Sequence, residues 1–395
     1  DLMKASESNP KYPSKVREMT NYTIREIKKV CKDIGPRPSG EENERKAQDY
    51  VADSMSKVAD SVVKEKFELH PKAFMGWVPL DVILMTISIV LTLLSYFDVL
   101  PSASTAFSVV SVVLTSLAII FTFFEFLLYK KFLDPFFPKR ETYNVVCTRK
   151  AAGETKRRIV FSGHIDSAYE WYFTHLGGGK LLTTMIALAF GAIAITLAAS
   201  IVSFFDVPNG VRVTAIVVLF VCLIPILMCS LFVNWKLCVP GANDNLTGVF
   251  ASMSVLRYMA ANDIRFENTE VVCVSMACEE AGLRGAKEYV KKHCGEDDVE
   301  TVFVGTDTLR DFDDMGVYNN DMTGTVKLDK QAAAMVKHAS DIAGYNLPYS
   351  SVFFGSSDAA AIQQGGMKEV ALAAMEQTPA RYYHTRGDTA DNLDP

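Results

Sequence analysis

Hydrophobic positions along the chain follow three different rhythms. In the first, residues 82–97, 106–124, 181–205 and 213–235 carry no charged side chain. A bilayer core of ~30 Å needs about 20 helical residues. The last three runs reach that length, and the first reaches it by extending back through Leu80, Val78 and Trp77 past Asp81. Short turns join them in pairs, which predicts two transmembrane α-hairpins over 77–133 and 180–236. In the second rhythm, apolar residues recur at helical spacing. Val16, Met19, Thr23, Ile27 and Val30 mark a helix ended by Gly35-Pro36; Ala47, Tyr50, Val51 and Met55 mark another, opened by a Ser39/Glu42 capping box. The third is strand-like, at 62–69, 142–148, 157–164, 269–277, 301–306 and 369–375, with helical stretches at 245–261, 282–293 and 329–343 between the later runs. Strands alternating with helices predict an α/β fold, a three-layer domain with a mostly parallel central sheet. The hairpins divide it into the parts 1–76, 134–179 and 237–395.

The flanks of the apolar runs suggest an orientation. Lys72, Lys130, Lys131, Lys139, Arg140, Lys180 and Lys236 lie on the side of the polar domain, as do Trp77, Trp171 and Trp235; the opposite turns offer only Arg212. The positive-inside rule then places the polar domain on the cytoplasmic side of the membrane, with the indoles at the interface. Glu125, near the end of the second run, reads as a carboxylate snorkelling to that interface, and Pro225 is expected to kink the fourth span.

Composition narrows the classes. The 395 residues are 49% hydrophobic and 22% charged, too apolar for a disordered chain. A net charge of −6 argues against a nucleic-acid partner. Eight scattered cysteines with no C-x-x-C pair read as reduced thiols. The polar opening DLMKASESNPKYPSK has no signal-peptide pattern. Nothing in the sequence speaks to oligomeric state. A mean hydropathy of +0.14 is high for an ordinary charge content, and the four apolar runs account for it.

Candidate chemistry gathers at strand ends, where parallel sheets build their sites. One run ends in His164 and Asp166; Asp244 precedes the helix at 245; another run ends in Glu279-Glu280; the next ends at Asp307; His384 and Asp388 follow near the C-terminus. Histidine with carboxylate suits Zn²⁺ or a related divalent ion. Two histidines and three carboxylates exceed one four-coordinate zinc that keeps a water, and fit two ions ~3.5–4 Å apart with a bridging carboxylate. Of two adjacent glutamates, one can bind metal while the other acts as a base.

The segments GHIDS (163–167), GANDNLTGV (241–249), CEEAGLRGA (278–286), GTD (305–307) and YHTRGDT (383–389), in that order, resemble the motifs of the co-catalytic two-zinc aminopeptidase family. That family includes leucyl aminopeptidases, glutamate carboxypeptidases and glutaminyl cyclases. Residues 33–53 resemble its N-terminal region. The resemblance implies one zinc on His164 and Asp307, a second on Glu280 and His384, and Asp244 bridging, with a cis Asp244–Asn245 bond. It further implies Glu279 as general base, Asp166 as the partner of His164, and a metal-bridging hydroxide as nucleophile. Ser357 and Asp358 resemble a segment lining the substrate side, with Ala359 where an aromatic or histidine is common; Tyr383 is a further substrate contact. The implied activity is a membrane-anchored di-zinc exopeptidase, an aminopeptidase on short peptides first, with carboxypeptidase or glutaminyl-cyclase-like activity as alternatives and a non-catalytic receptor or scaffold behind them. Both hairpins fall beside the metal motifs in sequence, so the bilayer is expected to shape access to the site. The chain opens on Asp1 and stops at DNLDP, short of the family's terminal helix, so truncation is expected.

Overall fold

A computed structural model describes residues 3–375 and 382–395, and the chain separates into two units. The first comprises Asp1–Pro71, Lys139–Glu170 and Trp235–Pro395; the second comprises Lys72–Pro138 and Trp171–Asn234.

In the first unit, nine strands form one sheet among the described residues. Across it run Ser61–Leu69, Arg140–Arg149, Thr269–Met276, Arg157–His164, Glu300–Asp307, Lys368–Ala373, Gly316–Asp321 and Tyr349–Ser351, with Val326–Lys327 paired to Gly316–Asp321. The four central strands, from Thr269–Met276 to Lys368–Ala373, are mutually parallel, and their carboxyl ends deliver His164 and Asp307 to one edge. Their β-branched runs, such as VVCVSM, suit a sheet covered on both faces. The helices Tyr12–Asp33, Glu42–Met55 and Gly248–Ala261 bury Ile27, Val51, Phe250 and Met253 against one face. The strands Gly316–Asp321 and Tyr349–Ser351 are absent from the hydrophobic pattern, because the first is half polar and the second only three residues long.

Gly163 and Gly248 let a strand and a helix touch. A Cβ on Gly163 would meet the carbonyl carbon of Gly248 at 2.5 Å, and one on Gly248 would meet Thr306 O at 2.2 Å. That approach is what sets the His164 strand directly against the segment bearing Asp244.

One local expectation is corrected. The helix Glu42–Met55 has Glu41 at its N-cap with no side-chain cap, and Glu42 pairs with Lys46 at 2.7 Å. Ser39 does not cap; its hydroxyl donates to Asp166 Oδ2 at 2.7 Å.

The second unit holds four helices long and apolar enough to cross a membrane: Ala73–Tyr96, Pro101–Leu127, Tyr172–Val202 and Asn209–Leu231. Their inward faces carry many hydroxyls, beside the buried carboxylates of Asp81 and Glu125. Ser88, Thr92, Ser111 and Ser200 exchange hydrogen bonds of 2.6–2.8 Å between helices, the interhelical polar contact expected where apolar burial between helices gains little in lipid. Gly177 and Gly178 break the third helix near its start, and Pro225 lies inside the fourth. Glu125 departs from expectation. It is fully buried and accepts the backbone N–H of Leu133, because the chain turns as a π-helix over Thr122–Leu127 and rotates that carboxylate inward.

Candidate metal centre

Five segments of the first unit converge at the carboxyl edge of the sheet. The strand Arg157–His164 ends in a buried imidazole whose Nε2 lies 3.1 Å from Asp244 Oδ1, 3.8 Å from Glu279 Oε2 and 3.9 Å from Asp307 Oδ2. On the other side, His384 Nε2 lies 2.9 Å from Asp244 Oδ2 and 3.1 Å from Glu280 Oε1. Asp244 therefore offers one oxygen to each histidine. His164, Asp244 and Glu280 present ligand atoms all within 4.8 Å of one another.

Each group is held by backbone geometry the local sequence makes possible. Asp244 follows Gly241, whose φ of +60° is left-handed, and the Asp244–Asn245 peptide is cis. Asn245 fixes that segment by donating to Thr306 O at 2.9 Å and accepting from Gly248 N at 2.9 Å. Cys278 (φ +57°) and His384 (φ +50°) adopt the left-handed region without being glycine, a costly conformation that clusters at functional sites. Asp166 accepts Ser39 Oγ and the backbone N–H groups of Glu279 and Glu280 at 2.7, 3.1 and 3.0 Å, and its Oδ1 sits 3.4 Å from His164 Nδ1. One carboxylate thus holds the Glu279-Glu280 turn and lies beside His164.

Further residues support the centre through contacts that the sequence does not reveal. Arg37, fully buried, donates to the carbonyls of Ile165, Gly35, Pro240 and Gly241 at 2.6–3.0 Å. Asp388 accepts the N–H groups of Asn243 and Asp244 at 2.7 and 3.0 Å. Glu44 accepts those of Gly40 and Cys278 at 3.0 and 2.9 Å. Glu170 takes a two-pronged ion pair from Arg386, at 2.7 and 2.6 Å, in the loop bearing His384.

Of the expected substrate contacts, Ser357 is turned away. Its hydroxyl donates to Asp321 Oδ2 at 2.6 Å and also accepts from Ala359 N, so it anchors the start of the helix Asp358–Gln364. Asp358 is buried, and among the described residues neither carboxylate oxygen is hydrogen-bonded. Tyr383 stacks on His384 with ring centroids 4.0 Å apart.

The electrostatics fit a cation site. Asp307 Oδ1 is buried without a donor among the described residues. Burial raises the Glu279 carboxyl well above its ordinary range, with Glu280, Asp358 and Asp307 adding to the rise. Burial alone would lower His384, but Glu280 and Asp244 outweigh it and hold the imidazole up at about 10. His164 is likewise raised against its own burial, by Glu279, Asp166 and Asp244. His164, Asp244 and Glu280, with Asp307 and His384 beside them, are the residues that would hold zinc.

A pH dependence follows from these signs. A histidine must lose its proton before Nε2 can bind metal, and both imidazoles keep theirs to unusually high pH. Zinc affinity is therefore expected to rise with pH, by about tenfold per unit for each proton displaced. Competition with a chromogenic chelator between about pH 6 and pH 8 checks this; a pH-independent affinity would contradict it.

Comparison with known proteins gives this geometry a context. Residues 230–395 match the family model described as Peptidase family M28. A comparison with curated proteins finds no match. Among solved structures, a zinc aminopeptidase from Bacillus subtilis is similar at 13% identity and a TM-score of 0.53, covering 95% of this chain and 90% of that one. A glutaminyl cyclase from Tannerella forsythia is similar at 13% identity and a TM-score of 0.53, covering 95% and 91%. The chain thus shares its fold with zinc aminopeptidases and glutaminyl cyclases of known structure, and its C-terminal part, residues 230–395, matches Peptidase family M28.

Proposed function

We propose that the chain is a membrane-anchored, zinc-dependent aminopeptidase acting on short or apolar peptides close to the bilayer, with its polar unit on the cytoplasmic side. The observation that carries the reading is Asp244, one carboxylate shared between His164 and His384 at 3.1 and 2.9 Å. Bound between those ligands, two zinc ions would supply Lewis acidity toward a carbonyl oxygen and make water a stronger acid near neutral pH.

The remaining steps fall to the chain's own groups. Glu279, buried next to the ligands and raised in pKa, accepts a proton from the attacking water and returns it to the leaving amine nitrogen. Asp166 keeps His164 in its orientation and so is a positioning residue. Asp358 supports the amino-terminal preference. It is a buried carboxylate with no donor among the described residues, its pKa pushed up to about 7 chiefly by burial, and its charge reaches Glu279 and Asp307. A substrate's terminal ammonium would supply what it lacks.

Hydrolysis of matched peptides with free and blocked amino termini tests this. The free peptide is expected to be cleaved and the blocked one not. Asp358→Asn is expected to raise KM for the free peptide roughly ten- to hundredfold, the worth of a charge-assisted hydrogen bond. Cleavage from the carboxyl end would overturn the assignment in favour of a carboxypeptidase. Ammonia release from an amino-terminal glutamine without peptide cleavage would overturn it in favour of a cyclase.

A further inference from the structure

The apolar unit contains a cavity among its four long helices, with about 680 Å³ of empty space counting its open mouth. Met185, Ala189, Phe190 and Ile226 are representative of its walls. Two lining residues do not belong in a passive apolar core. Asp81 is 5% exposed; its Oδ2 accepts Thr122 Oγ1 at 2.7 Å, and its Oδ1 has no partner among the described residues. Trp77, four residues earlier and on the same helix face, has a buried indole Nε1 that also lacks a partner there.

A purely structural role explains this poorly. Elsewhere in the bundle, helices are joined by hydroxyls that satisfy one another. A carboxylate at membrane depth costs at least ~2.5–3.5 kcal/mol, and such residues normally face a partner or a pathway. Among the described residues, no Lys, Arg or His lines this cavity. The missing element is a cationic donor, and the walls around it are hydrocarbon.

We propose that this cavity binds a single-chain amphiphile with a cationic amine head, its ammonium donating to Asp81 Oδ1 and its alkyl body packed along Met185, Ala189 and Ile226. Charge complementarity selects the amine over a neutral alcohol: an ammonium restores neutrality at Asp81, whereas a hydroxyl supplies only a hydrogen bond. Trp77, on the cavity wall, is a built-in reporter.

The test uses the full chain in lipid nanodiscs, with Trp171 and Trp235 replaced by Phe so that Trp77 alone fluoresces. The probe is dodecylamine brominated at its chain end, since bromine quenches indole fluorescence on contact. Saturable quenching is expected, displaced by unbrominated dodecylamine and weakened about tenfold or more by Asp81→Asn. The matching bromododecanol is expected to give only the linear quenching of a probe dissolved in the bilayer. Ala189→Phe, which fills the cavity and leaves Asp81 in place, is expected to abolish the saturable component; it decides the matter if Asp81→Asn fails to fold. Quenching that never saturates, that persists at equal affinity in either variant, or that the alcohol reproduces at equal affinity would overturn the proposal.

Discussion

Glu279→Gln is expected to lower kcat by about a thousandfold while leaving zinc content unchanged. Glutamine keeps the size of the side chain and the backbone N–H that donates to Asp166 at 3.1 Å, so the turn holding Glu280 survives. What it removes is the ability to take and return a proton, a contribution of ~10²–10⁴ in positioned acid–base catalysis. The position of Glu279 suits proton transfer, since its Oε2 lies 3.8 Å from His164 Nε2, beside the ligands. Measuring kcat together with bound metal separates loss of the base from loss of the site. Activity within about tenfold of the parent, at full metal content, would remove Glu279 from the mechanism.

Arg37→Met is expected to be the most destabilising single change in the polar unit, by about 3–5 kcal/mol. The guanidinium is wholly buried and donates to four carbonyls that belong to three separate segments. Methionine fills similar space but leaves those acceptors dry, at ~1–3 kcal/mol each where they cannot relax. Against a typical total stability of ~5–15 kcal/mol, that is a large share. The segments it ties, Ile165 beside His164 and Gly241 before Asp244, carry the metal ligands, so zinc retention should fall with stability. Arg37→Lys is expected to recover only part of the loss, because one ammonium cannot reach four carbonyls in a planar fork. A fall in apparent Tm of roughly 5–10 °C for the methionine variant is the readout; an unchanged Tm would show that the loops are held by other contacts.

These two residues also mark how far the sequence can be read. Glu279 is legible because the hydrophobic run 269–277 stops just before it, and the same logic locates His164 and Asp307. A parallel sheet brings its carboxyl ends together whatever the loops between them do. Arg37 has no such signal, since its acceptors are backbone carbonyls up to 204 residues away. Ser39 shows the opposite error. Its spacing to Glu42 fits a capping box, yet its hydroxyl is captured by Asp166, a partner 127 residues distant. Glu125 misleads for a related reason: a π-turn rotates the side chain by an amount that helical periodicity does not encode. The apolar runs are legible as candidate membrane helices from length and composition, but the unpartnered oxygen of Asp81 emerges only when Thr122 is placed beside it.

In the proposed function, the groups around Asp244 form a two-zinc hydrolytic centre. The most direct measurement is to strip the detergent-solubilised full chain of metal, titrate zinc back, and follow cleavage of an apolar dipeptide with a free amino terminus against bound metal per chain. Activity that returns in step with occupancy and reaches its plateau at two zinc ions per chain is the predicted result. A chain that binds no zinc, or that fills both positions and cleaves nothing, would contradict it.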